Sequence, residues 1–367
     1  MTAKRPTITD VAASAGVSKA TVSAVLNDSD TVKDATRDRV LAAIELLNYR
    51  PTQLAGRGAA ARRDRSVAVV IKEYDNPYYA EIIAGARAVA DAHGYTLLVV
   101  SSEGEYAAEH RAVALLRGKD VDGIIATPVL DDHADLSHFF ELKRRNVPFV
   151  LLEEVRGVRA SIVDVDNVEA SRRAVEHLFA LGHTRVVHVA GPAYSVHTEE
   201  RVAGVHRAFS ASHLAFTDDV IVHAGAHLVD GYRAGLALFG RKRPRAERPT
   251  GVTCYNDLVA IGLCRALREL GLRVPEDVSV VGYDDVPLCE YLAVPLTTLH
   301  VPKHEMGTQA AELLVRQIES KQPRAPEKVY LAAELVVRGS TGPPPVAAPN
   351  EALPRARHAT PALRPPR

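Results

Sequence analysis

Near the N-terminus the apolar residues recur at helical spacing in three short runs. These runs cover residues 8–15, 18–26 and 36–47. Thr7, with Asp10 three residues later, fits the capping pattern that opens a helix. Gly16 follows the first run, where a left-handed residue commonly ends a helix, and Ser18 can cap the second run. The spacing predicts a helix, a tight turn and a second helix in a small head with little apolar surface to bury.

From residue 66 the pattern changes to short β-branched runs that alternate with amphipathic helical stretches. Repeated β-α-β order predicts parallel sheets with helices on both faces, and the number of units predicts two doubly wound lobes. We expect the second lobe to begin with the strand SIVDVD at 161–166. In such sheets ligands bind beyond the carboxyl ends of the strands. The positions that follow the apolar runs are 74–79, 127–128, 153, 164–167, 192–201, 256–257 and 284–285.

The C-terminal segment has a different composition. Residues 341–367 contain eight prolines and several arginines. Such a segment cannot bury a core, so it is predicted to be a disordered basic tail. It shows no leucine heptad that could join protomers.

Composition narrows the class of protein. With 367 residues, 47% of them hydrophobic and 25% charged, the chain is typical of a globular protein of two or three domains. No stretch approaches the roughly 18 apolar residues of a membrane span, and the start MTAKRPTITD lacks the apolar core of a secretory signal. We therefore expect a cytoplasmic protein without a membrane partner. Cys254, Cys264 and Cys289 are too few and too unpatterned for a disulfide framework or a metal site.

The net charge of zero hides a basic head. Residues 1–66 carry eleven lysines and arginines against seven acidic residues, a net charge of +4. A small basic head on a neutral body indicates an anionic partner, with nucleic acid as the first candidate. The alternative is an ordinary solvated face, which has the same charge pattern.

Two segments of the head, ITDVAASAGVSKATVSAVLN and TVKDATRDRVLAAIELLNYRP, resemble the DNA-binding domain of the lactose-repressor (LacI/GalR) family of bacterial transcription regulators. The resemblance continues in order through the core. Its main segments are NPYYAEIIAGA (76–86), VDGIIATP (121–128), VDVDNVEASRRAVEHLFALGHTRVVHVAGP (163–192), RVAGVHRAF (201–209), CYNDLVAIG (254–262), VSVVGYDDVPL (278–288) and PLTTLHVP (295–302).

This resemblance implies a small all-α helix-turn-helix head and an α/β periplasmic-binding-protein-like core of two doubly wound parallel-sheet lobes. The implied domains are a DNA-binding head at 1–50, a hinge at 51–65, an effector-binding and dimerisation core at 66–340, and the tail at 341–367.

In the head, the resemblance implies that the second helix enters the major groove and reads bases with Lys19, Ala20 and Ala24. The family commonly has arginine at position 24, whereas Ala24 offers only apolar contact, and both alanines could equally be helix-forming filler. The other DNA contacts that the resemblance implies are Thr7, Ser18, Thr21, Ser23, Asn27, Tyr49, Leu54 and Arg57.

The hinge departs from the family pattern. Gly58 occupies the position of the leucine that the family wedges into the minor groove. Gly56 and Gly58 each disfavour a helix by about 1 kcal/mol relative to alanine. The wedge is therefore absent or supplied by Leu54 or another residue, and Arg57 and nearby arginines could instead hold the region by attraction to the minor groove or to phosphates. A solvated linker is the alternative.

In the core, Arg201 matches the family's cleft arginine, whose planar fork can bind hydroxyls or a carboxylate. Asp284 and Asn256 match polar ligand contacts. The weaker candidates are Tyr79, Thr127, Glu153, Ser195 and His197, and each candidate could instead be a structural residue. Val301 stands where glutamine is common, and His227 falls near an aromatic position, one residue short in spacing.

The resemblance implies a homodimeric regulator, a repressor by default, that binds pseudo-palindromic operator DNA at the nucleoid and responds to a sugar or sugar phosphate. A nucleoside or purine effector is the alternative within this class. A solute-binding protein is disfavoured by the head. An enzyme is disfavoured because the sequence has no phosphate loop, nucleophile elbow or ligand-spaced histidines, and we expect neither cofactor nor metal.

Overall fold

The computed structural model describes residues 6–26, 29, 31–47, 49, 65–130, 136–241, 244–320, 322 and 324–345. The chain divides into two compact units, Met1–Arg63 and Asp64–Arg367. Among the described residues, no helix combines the length and the apolar character that a membrane span requires.

The first unit is a three-helix head. Its helices are α1 (Ile8–Ala15), α2 (Lys19–Leu26) and α3 (Asp34–Leu46). Thr7 is the N-cap of α1, and Asp10 closes a capping box, because its Oδ2 accepts from the backbone N–H and the hydroxyl of Thr7, both at 2.7 Å. Gly16 ends α1 with a left-handed φ of 66°, as the sequence predicts. α3 begins two residues before the predicted start, with Asp34 in its first turn, where a negative charge complements the helix dipole.

Small side chains fill the core of the head. The buried residues are Val11, Ala12, Ala15, Val22, Val25, Val40, Ala43 and Tyr49. Since the core contains so few large side chains, the buried apolar area is modest, and we expect the isolated head to be marginally stable.

The second unit begins with a six-stranded parallel sheet. Its strands are β1 (Ser66–Ile71), β2 (Thr96–Ser101), β3 (Gly123–Ala126), β4 (Phe149–Leu151), β5 (Ser161–Val165) and β11 (Lys328–Leu331), in the order β2-β1-β3-β4-β5-β11. The helices between them are α4 (Tyr78–Ala92), α5 (Tyr106–Gly118) and α6 (Ser137–Arg144). This sheet and its helices form the first lobe.

The second lobe has a four-stranded parallel sheet of order β7-β6-β8-β9. Its strands are β6 (Val186–Ala190), β7 (Ile221–His223), β8 (Gly251–Cys254) and β9 (Ser279–Val281), and its helices are α7 (Asn167–Ala180), α8 (Val196–Ser212), α9 (Leu228–Phe239), α10 (Asp257–Glu269) and α11 (Leu288–Tyr291). Helices α7 and α8 pack together, as do α9 and α10.

The chain then returns to the first lobe. β10 (Thr298–His300) pairs antiparallel with β12 (Glu334–Val336), and α12 (Lys303–Glu319) between them packs on α4 and on the first sheet. The two lobes are thus joined by three connections, after β5, before α12 and after β11.

One strand lies in the other lobe from that expected. The sequence pattern predicted SIVDVD in the second lobe, but β5 lies in the first sheet, with Leu151 of β4 opposite Ile162. On its other side β5 pairs with β11, which the sequence pattern did not indicate. All five residues of β5 are buried, as befits a central parallel strand.

Residues 341–345 belong to the described structure, although the tail was expected to begin at 341. Gly342 is held on the second lobe, since its carbonyl lies 2.9 Å from His183 Nε2 and accepts from Ser279 Oγ at 3.0 Å. These first residues of the tail are therefore ordered.

Candidate functional site

A cavity of about 190 Å³ lies where the carboxyl ends of the two parallel sheets face each other. One water molecule needs roughly 10–15 Å³ on this scale, so the cavity can hold a small organic ligand. The structure places all eight core residues that the sequence suggested on its wall. They are Tyr79, Thr127, Glu153, Ser195, His197, Arg201, Asn256 and Asp284.

Arg201, on α8, is held from several sides. Its Nε donates to Asn167 Oδ1 at 3.1 Å, and its Nη1 donates to the carbonyl of Tyr255. The guanidinium carbon lies 3.6 Å from the ring centroid of Tyr283 and 4.5 Å from that of Tyr255. No described residue accepts a hydrogen bond from Nη2. The fork is therefore fixed in place with one donor group left for a ligand.

The backbone that carries Asp284 is strained. Asp284 and Asp285 have φ values of 112° and 56°, which are rare for residues other than glycine. The fully buried ammonium of Lys303, at the start of α12, donates to the carbonyls of Asp284 at 2.6 Å, Asp285 at 3.0 Å and Val301 at 3.3 Å. Lys303 thus holds the turn that points Asp284 at the cavity.

The Asp284 carboxyl group makes no hydrogen bond with any described residue, although 94% of the residue is buried. Burial raises its pKa to about 8, and the neighbouring Arg201 only partly opposes this rise. A carboxyl group in this state can donate to a ligand when protonated and accept from one when ionised. Its oxygens are therefore available to a ligand.

We expect Asp284→Asn to raise the melting temperature of the ligand-free protein by a few degrees at pH 8–9 and to leave it nearly unchanged near pH 4. Because the folded pKa of about 8 exceeds the unfolded value near 3.9, the folded state binds more protons within that window, and stability falls as pH rises through it. Asparagine stays neutral and avoids this loss. Scanning fluorimetry from pH 4 to pH 9 measures the effect.

Asp285→Asn is the matched control. The Asp285 carboxylate pairs with Arg338 at 2.8 Å and His300 at 3.0 Å, and although burial raises its pKa, these partners lower it below its usual range. The control should therefore lower the melting temperature at neutral pH. A pH-independent effect of Asp284→Asn would contradict the assignment.

Glu153 lies between a lysine and the second lobe. Lys72 Nζ lies 2.7 Å from Glu153 Oε2, and Ser195 donates to Oε1 at 3.3 Å. Although burial raises the pKa of Glu153, the charge of Lys72 outweighs it and lowers the pKa to about 2. The charges of Lys72 and Glu153 therefore balance each other within the protein.

Two histidines of the second lobe also contact carboxylates of the first lobe. His197 Nε2 on α8 lies 3.0 Å from Asp164 Oδ2 at the end of β5, and His227 Nε2 lies 2.7 Å from Glu73 Oε1 after β1. Burial lowers the pKa of His197, but the charges of Asp164 and Glu153 outweigh it and raise the pKa. Together with the Ser195 contact, these pairs join the two lobes.

Three candidates have structural contacts within the protein, two through hydrogen bonds and one through packing. Asn256 caps α10, with Oδ1 accepting from Val259 N and Nδ2 donating to the carbonyl of Ala226, both at 2.9 Å. Thr127 donates to the carbonyl of Val70 at 3.1 Å. The ring of Tyr79 is buried and makes an edge contact with a neighbouring tyrosine. For these residues the structural interpretation also fits.

Several residues that organise the site are not among the candidates predicted from the sequence. These residues are Lys72, Asp164, Asn167, Tyr255, Tyr283 and Lys303. Asp164 and Asn167 fall within the strand-end positions that the sequence pattern marks, and Tyr255 adjoins Asn256, so that rule could have found them.

In the head, α2 has one buried and one accessible side. Val22 and Val25 are buried, while Lys19 and Ala20 are exposed and Ser23 and Ala24 are half-buried. The accessible side is thus the one that the sequence assigned to DNA. Thr21 is half-buried beside it, and its N–H donates to Ser18 Oγ at 3.1 Å.

Tyr49 does not lie on this accessible side. It belongs to the buried core of the head, and its N–H donates to the carbonyl of Ile44 at 2.9 Å. Its side chain packs in that core, and its expected DNA contact stays a prediction. Thr7 is exposed, where it caps α1. Asn27, Leu54, Arg57 and Gly58 lie outside the described residues.

Two family models match the chain. The model for bacterial regulatory proteins of the lacI family matches residues 7–52, and one for a periplasmic binding protein-like domain matches residues 175–341. The HTH-type transcriptional repressor PurR of Vibrio vulnificus is 32% identical over 344 residues, which are 90% of this chain and 97% of the relative. The HTH-type transcriptional regulator DegA of Bacillus subtilis is 30% identical over 340 residues, 92% and 99% of the two chains.

Solved structures give the same result. A complex of the transcriptional regulator CelR with cellobiose has a TM-score of 0.68 and 32% identity, covering 92% of this chain and 100% of that one. The lac repressor dimer bound to operator and the anti-inducer ONPF has a TM-score of 0.66 and 29% identity over the same shares. The predicted fold class, a helix-turn-helix head on a two-lobed periplasmic-binding-protein-like core, is confirmed.

Proposed function

Since the chain belongs to the LacI family of bacterial regulatory proteins, we propose that it is a sugar-responsive repressor that binds operator DNA as a homodimer. It is a transcription regulator and not an enzyme. We assign DNA binding to residues 1–50, the hinge to 51–65 and effector binding to 66–340. The dimeric state of the lac repressor structure supports a dimer bound to a pseudo-palindromic operator.

For the head, we propose that the exposed side of α2 lies in the major groove. Lys19, Ala20 and Ala24 contact base edges, while Thr21 and Ser23 contact phosphates and fix the register. The opposite side of α2 packs on the head's own core through Val22 and Val25, which supports this orientation.

We expect Lys19→Ala to weaken operator binding by about tenfold or more and to leave effector affinity unchanged, because a lysine at a base edge contributes roughly 1–3 kcal/mol. Fluorescence anisotropy with operator DNA and calorimetry with the effector measure the two affinities. Arg39→Ala removes one exposed positive charge from α3 and serves as the control. Equal losses in both variants would show that only general charge matters.

For the effector, the proposal rests on two polar groups that lie on the same cavity wall and have no hydrogen-bond partner among the described residues. The Asp284 carboxyl group and Arg201 Nη2 face the same cavity without a described partner. Together they offer an acceptor and a donor, the combination that a hydroxyl-rich ligand requires. The cellobiose complex of CelR, 32% identical to this chain, supports a sugar.

A purine is the second candidate, because the PurR relatives are 32% identical to this chain and the cavity wall includes the ring of Tyr79. A flat base is held best between two opposed ring faces. The rings of Tyr255 and Tyr283 already stack on Arg201. Because Arg201 already covers a face of each of these two rings, they are less available to hold a flat base, and this favours a sugar as the effector.

A thermal-shift screen of the full chain against sugars, sugar phosphates and purine bases tests the effector class. Ligand at 100 times its Kd should stabilise the protein by about 2.7 kcal/mol, which is a shift of a few degrees. Operator binding is then measured with and without the hit, because an effector acts only through its different affinities for the two core arrangements. A response to purines alone would overturn the sugar assignment.

A further inference from the structure

A second polar cluster lies beside the cavity, where the chain passes between the lobes. Asp164 is the penultimate residue of β5 in the first lobe, and His197 and Glu200 lie three residues apart on α8, so they share a face of that helix. One nitrogen of His197 and one oxygen of each carboxylate all lie within 4.8 Å of one another. Asp164 and Glu200 are absent from the described residues that line the cavity. The cluster is therefore a separate feature that shares only His197 with the cavity.

The cluster has more negative than positive charge. Asp164 is 2% exposed, and its carboxylate lies 3.0 and 3.1 Å from His197 Nε2. Glu200 is half-buried. Within the described part of the chain, no lysine or arginine pairs with either carboxylate. Two carboxylates gathered around one imidazole are costly to bury unless a further cation compensates them.

The carboxylates are also oriented by the groups around them. Asn167 Nδ2 donates to Glu200 Oε2 at 2.9 Å, and the N–H of Val165 donates to Asp164 Oδ1 at 2.8 Å. Glu200 Oε1 is left available to a metal ion, and Asp164 Oδ2 becomes available when the ion takes the place of its contact with His197. Outer hydrogen bonds of this kind orient the ligands in known metal sites.

We propose that Asp164, His197 and Glu200 bind a divalent transition-metal ion of the Zn²⁺ class. One imidazole and two carboxylates suit Zn²⁺, Co²⁺ or Ni²⁺, and three protein ligands leave a coordination position open to water. On binding, the ion replaces the hydrogen bond between His197 and Asp164. Because Asp164 belongs to the first lobe and the other two ligands to the second, the ion links the lobes and favours the core arrangement in which these residues lie together.

Calorimetric titration of the full chain with ZnCl₂, after dialysis against a chelator, tests this proposal. We expect one saturable site per chain, with affinity reduced at least about tenfold in Asp164→Asn and in Glu200→Gln. CoCl₂ should give visible absorption bands in the wild type that both variants lose. Zn²⁺ should also raise the melting temperature of the wild type but not that of the variants.

Glu199→Gln is the matched control, because Glu199 is the exposed neighbour whose carboxylate pairs with Arg156. This variant should bind Zn²⁺ as the wild type does. The glutamine in Glu200→Gln keeps an oxygen that can accept from Asn167, and circular dichroism shows whether each variant is folded. The absence of saturable binding, or equal Zn²⁺ affinity in wild type, Asp164→Asn and Glu200→Gln, overturns the proposal. The titration needs neither operator nor effector, so its failure leaves the repressor proposal intact.

Discussion

Replacing Arg201 by alanine is expected to abolish the effect of the effector on operator binding while leaving effector-free operator binding near the wild-type level. Charge-assisted hydrogen bonds contribute roughly 1.5–3 kcal/mol each, so we expect effector affinity to fall by about a hundredfold or more. The loss is large because Asn167 and the Tyr255 carbonyl fix the fork before the ligand arrives.

Calorimetry measures effector affinity of the Arg201 variant, and fluorescence anisotropy measures operator binding with and without effector. Arg207→Ala is the control, since Arg207 is an exposed arginine on the same helix. Arg201→Lys keeps the charge but loses the planar fork, and it should recover little of the response. A normal response in Arg201→Ala would remove Arg201 from the effector site.

Lys303→Met is expected to lower the free energy of unfolding of the core by roughly 3–5 kcal/mol, because buried carbonyls that lose their donor each cost about 1–3 kcal/mol. The ammonium of Lys303 donates to three carbonyls, two of which belong to the strained pair Asp284 and Asp285. Methionine fills similar space but donates no hydrogen bond. The turn that carries Asp284 should relax, so effector affinity should fall as well.

Urea denaturation measures the stability of Lys303→Met. Lys328→Met is the matched control, because Lys328 is a half-exposed lysine that pairs with Glu154 at 2.8 Å. Exposed pairs contribute about 0–1 kcal/mol, so this variant should remain close to the wild type. Similar small losses in both variants would show that Lys303 does not hold the turn.

The parts of the fold that depend on local spacing could be predicted from the sequence. The three helices of the head follow from apolar residues on one face, and Gly16 ends α1 with the expected left-handed backbone. In the core, the rule that ligands bind beyond strand ends marked the region of the cavity, and the resemblance to the LacI/GalR family selected the eight candidate residues on its wall. The helices and the place of the cavity thus follow from neighbouring residues and one general property of parallel sheets, whereas the choice of residues rests on the resemblance.

The parts that depend on distant partners could not be predicted in this way. A buried run such as that of β5 fits either sheet, and chain order did not reveal that β4 and β11 flank it. In the sequence, Lys303 looks like any lysine at the start of an amphipathic helix. Its burial depends on the carbonyls of residues 284, 285 and 301, which surround it only in the folded chain. Asp164 meets His197 only because two lobes come together, and their separation of 33 positions carries no local signal.

The pairing of β11 with β5 determines how late in synthesis on the ribosome the first sheet can be completed. The strands of the second sheet, β6 to β9, are consecutive between residues 186 and 281, whereas the first sheet needs residues 328–331 to complete its edge. A nascent chain that ends near residue 300 therefore contains every strand of the second sheet but leaves β5 as an unpaired edge. Unpaired strand edges promote aggregation. Translation that stalls over α12 should therefore yield chains that depend on chaperones, although most of the protein has already been synthesised.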